Sequence, residues 1–231
     1  MVLFVCGLPR VGLSIVCQML AAANYSVLGD FPTYEPIAAG RLPWYAFNSA
    51  YGRVVKVVDV VAMRFEWEGP QSARAIYVTR PAEDCARSAL RHTVTTNQGI
   101  AQMLAAKSLN ATREALATLA STYRRDEPIA RDRVLKATDG DMLTLEFKQL
   151  VEEPLQAAGA ILDYLHVPER VSDGRLNHEF LQKQSVMARQ VRLRTPAPLA
   201  SSIDFSKPGR LLTLDDPPEL ASTPQSAIIV P

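Results

Sequence analysis

A surplus of charge of either sign is missing from this sequence. Its 25 lysines and arginines meet 24 aspartates and glutamates, leaving a formal net charge of +1. A chain so balanced has no electrostatic case for wrapping nucleic acid or lying on an anionic membrane, so an anionic ligand would have to be gripped by local groups. Cysteine is scarce. Cys6, Cys17 and Cys85 fall inside apolar or helical patterns, with neither the spacing of a metal site nor that of a disulfide framework, and read as reduced core residues. Long hydrophobic runs are also absent. The opening MVLFVCG carries a short apolar run with no basic residue before it, too short for the hydrophobic region of a signal peptide. No other segment approaches the ~20 apolar residues that span a bilayer. The expectation is a soluble, cytoplasmic protein with no nucleic-acid and no membrane partner.

What is present is a chain of 231 residues, 48% hydrophobic, long enough for one α/β domain with its own core. Val2 to Cys6 is continuously apolar and contains β-branched residues, as expected of a strand buried on both faces in a parallel sheet. From Gly12 to about Ala23 the sequence is apolar on nearly every side, which suits a helix packed between the sheet and its neighbours. Tyr25 to Leu28 predicts a second short strand, and the Pro- and Gly-dense stretch to Trp44 a loop. Arg53 to Val58 and Ala73 to Thr79 predict strands. Pro81 to about Arg91 predicts a helix, because the missing proline N–H would be unpaired in a first turn anyway.

Gln98 to about Arg125 predicts one long helix or two in a hairpin, and Asp126 to Lys136 is helical as well. Asp141 to Phe147 alternates like a strand, and Pro154 to Leu165 repeats apolar residues at helical spacing. Strands separated by helices imply a three-layer α/β fold, a mostly parallel sheet flanked by helices. After about Arg189 the pattern decays into TPAPLASS, DDPP and STPQ. The expected organisation is an α/β domain over 1–189 and a Pro-rich, extended tail over 190–231.

Between the first strand and helix lies GLPRVGLS, Gly7 to Ser14. A loop so placed presents backbone N–H groups and the positive end of a helix dipole to whatever sits above it, which favours phosphate or sulfate. It has the frame G-x-x-x-x-G and the closing hydroxyl of a nucleotide-binding loop, but Leu13 stands where a nucleotide hydrolase carries lysine. The cation comes three residues earlier, at Arg10, whose guanidinium can bracket an anionic group with paired hydrogen bonds. A second segment, RPAEDCARS, begins at Arg80, directly after a predicted strand, where α/β sheets bind ligands; Ser88 follows it eight residues on.

GLPRVGLS resembles the 5′-phosphosulfate loop of the sulfotransferases, in particular bacterial members whose loop reads approximately GLPRSGTS. Arg80 and Ser88 resemble the arginine and serine with which that family holds the 3′-phosphate of its donor. RVVKVV around Lys56 and LTLEFKQLVEEP resemble two further family segments, so that the similarity covers about residues 1 to 185. The resemblance implies a fold like that of the P-loop nucleoside triphosphate hydrolases and 3′-phosphoadenosine-5′-phosphosulfate as donor. It requires no metal. Gly7, Leu8, Pro9, Arg10, Val11, Gly12, Leu13 and Ser14 would then cradle the 5′-phosphosulfate, Arg80 and Ser88 the 3′-phosphate. Arg10 would contact the transferring group, and Lys56, awkward as a core residue in a strand, either joins it as a catalytic residue or faces an edge.

Val11 and Leu13 depart from the family's serine and threonine, deleting two hydroxyl donors at roughly 1 kcal/mol each. His92, one helical turn after Ser88, and Asp30, Glu35 and Asp59 in loop-like segments are alternative general bases. Trp44, Tyr45 and Phe47 line an acceptor pocket or pack in the core. Arg80 has an alternative partner in Glu83 or Asp84 across the helix start. The implied activity is sulfuryl transfer to a hydroxyl or amine on a small-molecule or carbohydrate acceptor, with a homo-oligomer compatible. Two rivals are a nucleotide kinase or hydrolase with an altered loop, and a domain without turnover that serves binding or assembly.

Overall fold

In the computed structural model, residues 1–34, 52–62, 65–67, 72–97 and 109–194 are described. Glu35, Trp44, Tyr45, Phe47, the 98–108 part of the expected helical region and residues 195–231 lie outside them. Strand β1 (Val2–Gly7) is buried at every position, so both faces of the sheet are covered at its centre. It pairs in parallel with β2 (Val54–Val58) on one side and β3 (Ala73–Thr79) on the other. Strand β4 (Met142–Glu146) adds in parallel to β3, giving the order β2-β1-β3-β4. The fold is thus α/β, a four-stranded parallel sheet flanked by helices.

Helix α1 (Leu13–Ala22) packs on β1 and β2, its Val16, Cys17, Met19 and Leu20 fully buried. Helix α2 (Ala82–Thr96) lies against α3 (Leu109–Ala137), which meets β1 and β3. Two short helices, α4 (Phe147–Glu152) and α5 (Pro154–Tyr164), follow β4 directly. Helix α6 (His178–Arg194) packs against α1 and α5 through Phe180, Met187 and Val191, which share one face at helical spacing. It continues past residue 189, where the folded domain was expected to end. Among the described residues no helix is long and apolar enough to cross a membrane.

Two local expectations change. Tyr25 to Leu28 does not form a strand: Val27 makes only an isolated parallel bridge to Val54, with Val54 N–H donating to Ser26 and Leu28 N–H to Val54 at 2.8 Å each. Phe147 begins α4 rather than ending β4, because a reciprocal capping box, Glu146 with Gln149, turns the chain there.

The sheet register aligns the carboxyl ends of all four strands. Gly7 pairs with Val58, Cys6 with Tyr77, and Thr79 with Glu146. The chain leaves β1 towards β2 and leaves β3 towards β4, in opposite directions from adjacent strands. In open α/β sheets that reversal opens the ligand crevice, and here it lies between the loop carrying Arg10 and the segment carrying Arg80.

Candidate functional site

Both glycines that frame the loop are required by close approach. A Cβ on Gly7 would meet the Val78 carbonyl oxygen at 2.8 Å, and one on Gly12 would meet the Phe147 ring at 2.6 Å. Gly12 also has φ +107°, a conformation side chains rarely tolerate. Its left-handed turn starts α1 with no capping side chain and no acidic residue in the first turn. The first N–H groups of a helix have no partner within it, so this end offers unpaired donors and a partial positive charge to an anion.

Three basic side chains converge on this end. Arg10, at φ 68°, donates from Nε to Ser88 Oγ at 3.3 Å, which ties the loop to α2. Arg80 donates from Nη1 to the Arg10 carbonyl at 3.1 Å, and its guanidinium lies over the Phe147 ring, 4.1 Å from the centroid. Lys56 extends from β2 to donate from Nζ to Ser14 Oγ at 2.9 Å and to the Thr33 carbonyl at 2.7 Å. It is only 4% exposed, so a cation buried in the sheet is satisfied by the loop hydroxyl and a neighbouring carbonyl. Lys56 therefore faces the site and not an edge.

Arg80 pairs with neither acid at the start of α2, since Glu83 pairs with Arg124 and Asp84 with Arg87. Burial holds its pKa below the usual arginine value, against support from Cys85 and Asp84 and with smaller repulsion from Arg10 and Arg87. Arg80 Nε is buried without a hydrogen-bond partner. A buried donor left unpaired is costly, and an anion at this corner would relieve it.

A cleft of about 430 Å³ opens above these groups, lined by Pro9, Arg10, Gly12, Leu13, Ser14, Ile15, Lys56, Val58, Arg80, Ser88, His92 and Phe147. Its described lining holds three basic side chains and no carboxylate, an arrangement suited to a ligand with more than one anionic group. Leu8 and Val11 stand apart from it. They are 4% and 3% exposed and line a separate cavity of about 270 Å³ with Tyr77, Cys85 and Tyr123. Leu13, at 4% exposed, packs towards Gly7. His92 reaches the cleft, whereas Asp59 accepts from the Ala62 N–H at 3.1 Å and lies outside its lining, as does the exposed Asp30.

Sequence reasoning overlooked three members of this cleft, Ile15, Val58 and Phe147, and Phe147 is the one that touches other site groups. Its signal was the junction of the predicted strand with E-F-K-Q, a capping-box pattern that starts a helix immediately at the sheet's carboxyl edge. Among the described residues no group of three or more His, Cys, Asp or Glu could hold a metal ion. The chain matches no protein-family model, and no curated protein matches it.

Proposed function

We propose that this protein is a sulfotransferase of the P-loop type, moving a sulfuryl group from 3′-phosphoadenosine-5′-phosphosulfate to a hydroxyl or amine of a small-molecule or carbohydrate acceptor in the cytoplasm. The observation that carries this reading is the convergence of Arg10, Lys56, Arg80 and Ser88 with the uncapped start of α1 on one cleft. The donor supplies an activated sulfuryl group on a 5′-phosphate. Leu13 and Ser14 N–H groups and the Ser14 hydroxyl would bind that phosphate, with Lys56 and Arg10 stabilising the charge that grows on it as the S–O bond breaks. Arg80 and Ser88 would hold the 3′-phosphate. His92, which lines the cleft, would take the acceptor's proton.

Val11 bears on the rival reading of a domain without turnover. Val11 is 3% exposed and lines the second cavity and not the cleft, so a serine at this position would sit outside the described lining of the cleft. The missing hydroxyl therefore weighs less against turnover than the sequence implied.

Calorimetric titration with 3′,5′-adenosine bisphosphate tests the donor assignment. Saturable binding that survives Arg10→Ala and is abolished by Arg80→Ala is the expected result; indifference to the Arg80 change overturns it. Binding of the bisphosphate without transfer of radiolabelled sulfate to any acceptor in a lysate would favour the binding domain. Magnesium-dependent binding of ATP in its place would favour the kinase.

A further inference from the structure

Phe147 stands at the first position of α4, and the capping box between Glu146 and Gln149 pins that turn. From there its ring touches both halves of the cleft. One contact is with Gly12, so close that a Cβ there would lie 2.6 and 2.9 Å from ring carbons. The other is the Arg80 guanidinium, 4.1 Å from the ring centroid. That guanidinium is held at one terminal nitrogen by the Arg10 carbonyl and has its Nε buried without a partner. Glu83 and Asp84 are engaged by other arginines, so among the described residues the ring is the group that supports this cation from the side.

We propose that Phe147 is a positioning residue that fixes the plane of Arg80 and thereby sets the protein's preference for nucleotides bearing a 3′-phosphate. This rests on the donor reading above. A flat ring against a guanidinium leaves its in-plane N–H edge as the direction of hydrogen bonding, which matches the paired oxygens of a phosphate.

The test compares wild type with Phe147→Leu and Phe147→Tyr, first by calorimetry with 3′,5′-adenosine bisphosphate and with adenosine 5′-monophosphate. Phe147→Leu is expected to weaken the bisphosphate about tenfold, in keeping with a cation–π contact of ~1–2 kcal/mol, and to change the monophosphate less than about twofold; Phe147→Tyr should restore the wild-type ratio. Equal losses for both nucleotides, or none for the bisphosphate, overturn the proposal.

A second measurement does not depend on any nucleotide. The Arg80 Nε–H resonance of the ligand-free protein should be displaced upfield by the ring in wild type and Phe147→Tyr and lose that displacement in Phe147→Leu. If it is the same in all three, Phe147 does not fix Arg80 and the proposal fails. If wild type binds neither nucleotide, the donor reading falls, while this resonance still decides whether the ring holds the arginine.

Discussion

Gly12 answers two constraints at once, a left-handed backbone at φ +107° and a ring packed where a side chain would begin. Gly12→Ala is expected to destabilise the fold by about 1–3 kcal/mol, read as a lower urea midpoint with an unchanged slope, and to weaken bisphosphate binding as well. At this scale the sequence was most explicit. The frame of Gly7 and Gly12, the displaced cation at Arg10 and the pair Arg80 and Ser88 were legible because each follows a strand end or helix start that local pattern predicts. The direction of individual side chains was not. Leu8 and Val11 occupy the loop yet line the second cavity and not the cleft, and Lys56 was undecided between site and edge until the pairing of Val5 with Lys56 placed β2 beside β1. Nothing local distinguishes those outcomes, since they depend on which strand becomes a neighbour.

The elements carry their own consequences. Helix α1 begins without a side-chain cap, so an anion that completes it should stabilise the protein. At about 100 times its dissociation constant, 3′,5′-adenosine bisphosphate is expected to add ~2.7 kcal/mol, measured as a rise in the melting temperature that Arg80→Ala removes. Helix α3 runs unbroken through Pro128. Proline lacks the N–H its position would donate and crowds the preceding turn, and Pro128→Ala is expected to stabilise the protein by about 1–3 kcal/mol in urea denaturation. The same proline explains why the sequence suggests a separate helical segment from Asp126: it suits a first turn, and only packing against α2 and the sheet makes an interior position tolerable. Helix α6 was hidden for a different reason. Its buried Phe180, Met187 and Val191 are spread among charged residues, and a stripe so thin stands out only once α1 and α5 supply the surface it covers.

The molecule as a whole buries its thiols in neutral form. Burial is the first cause that raises Cys17 to about 12 and Cys85 to about 11, and it raises Cys6 as well. In the unfolded chain these groups titrate near the ordinary 9.0. Above that pH the unfolded state binds fewer protons than the folded one, so stability falls as pH rises. The melting temperature is therefore expected to hold to about pH 9 and to decline towards pH 11–12, with Tyr123 and Tyr164, both raised to about 12, adding to the loss above pH 10. A flat profile between pH 9 and 11 would contradict the burial of these groups. Alternation, helical spacing and glycine punctuation are local properties, and by themselves they determined the four strands of the sheet, most helices, the α/β class and the loop with its cation, though they also suggested a strand at Tyr25 to Leu28 that does not form. The tertiary structure decided which strands lie side by side, that Lys56 meets Ser14, that Arg80 leans on Phe147 and that Val11 lines a cavity apart from the cleft. Those outcomes join residues far apart in the chain, and their energies exist only when sheet register and helix packing bring the partners within contact.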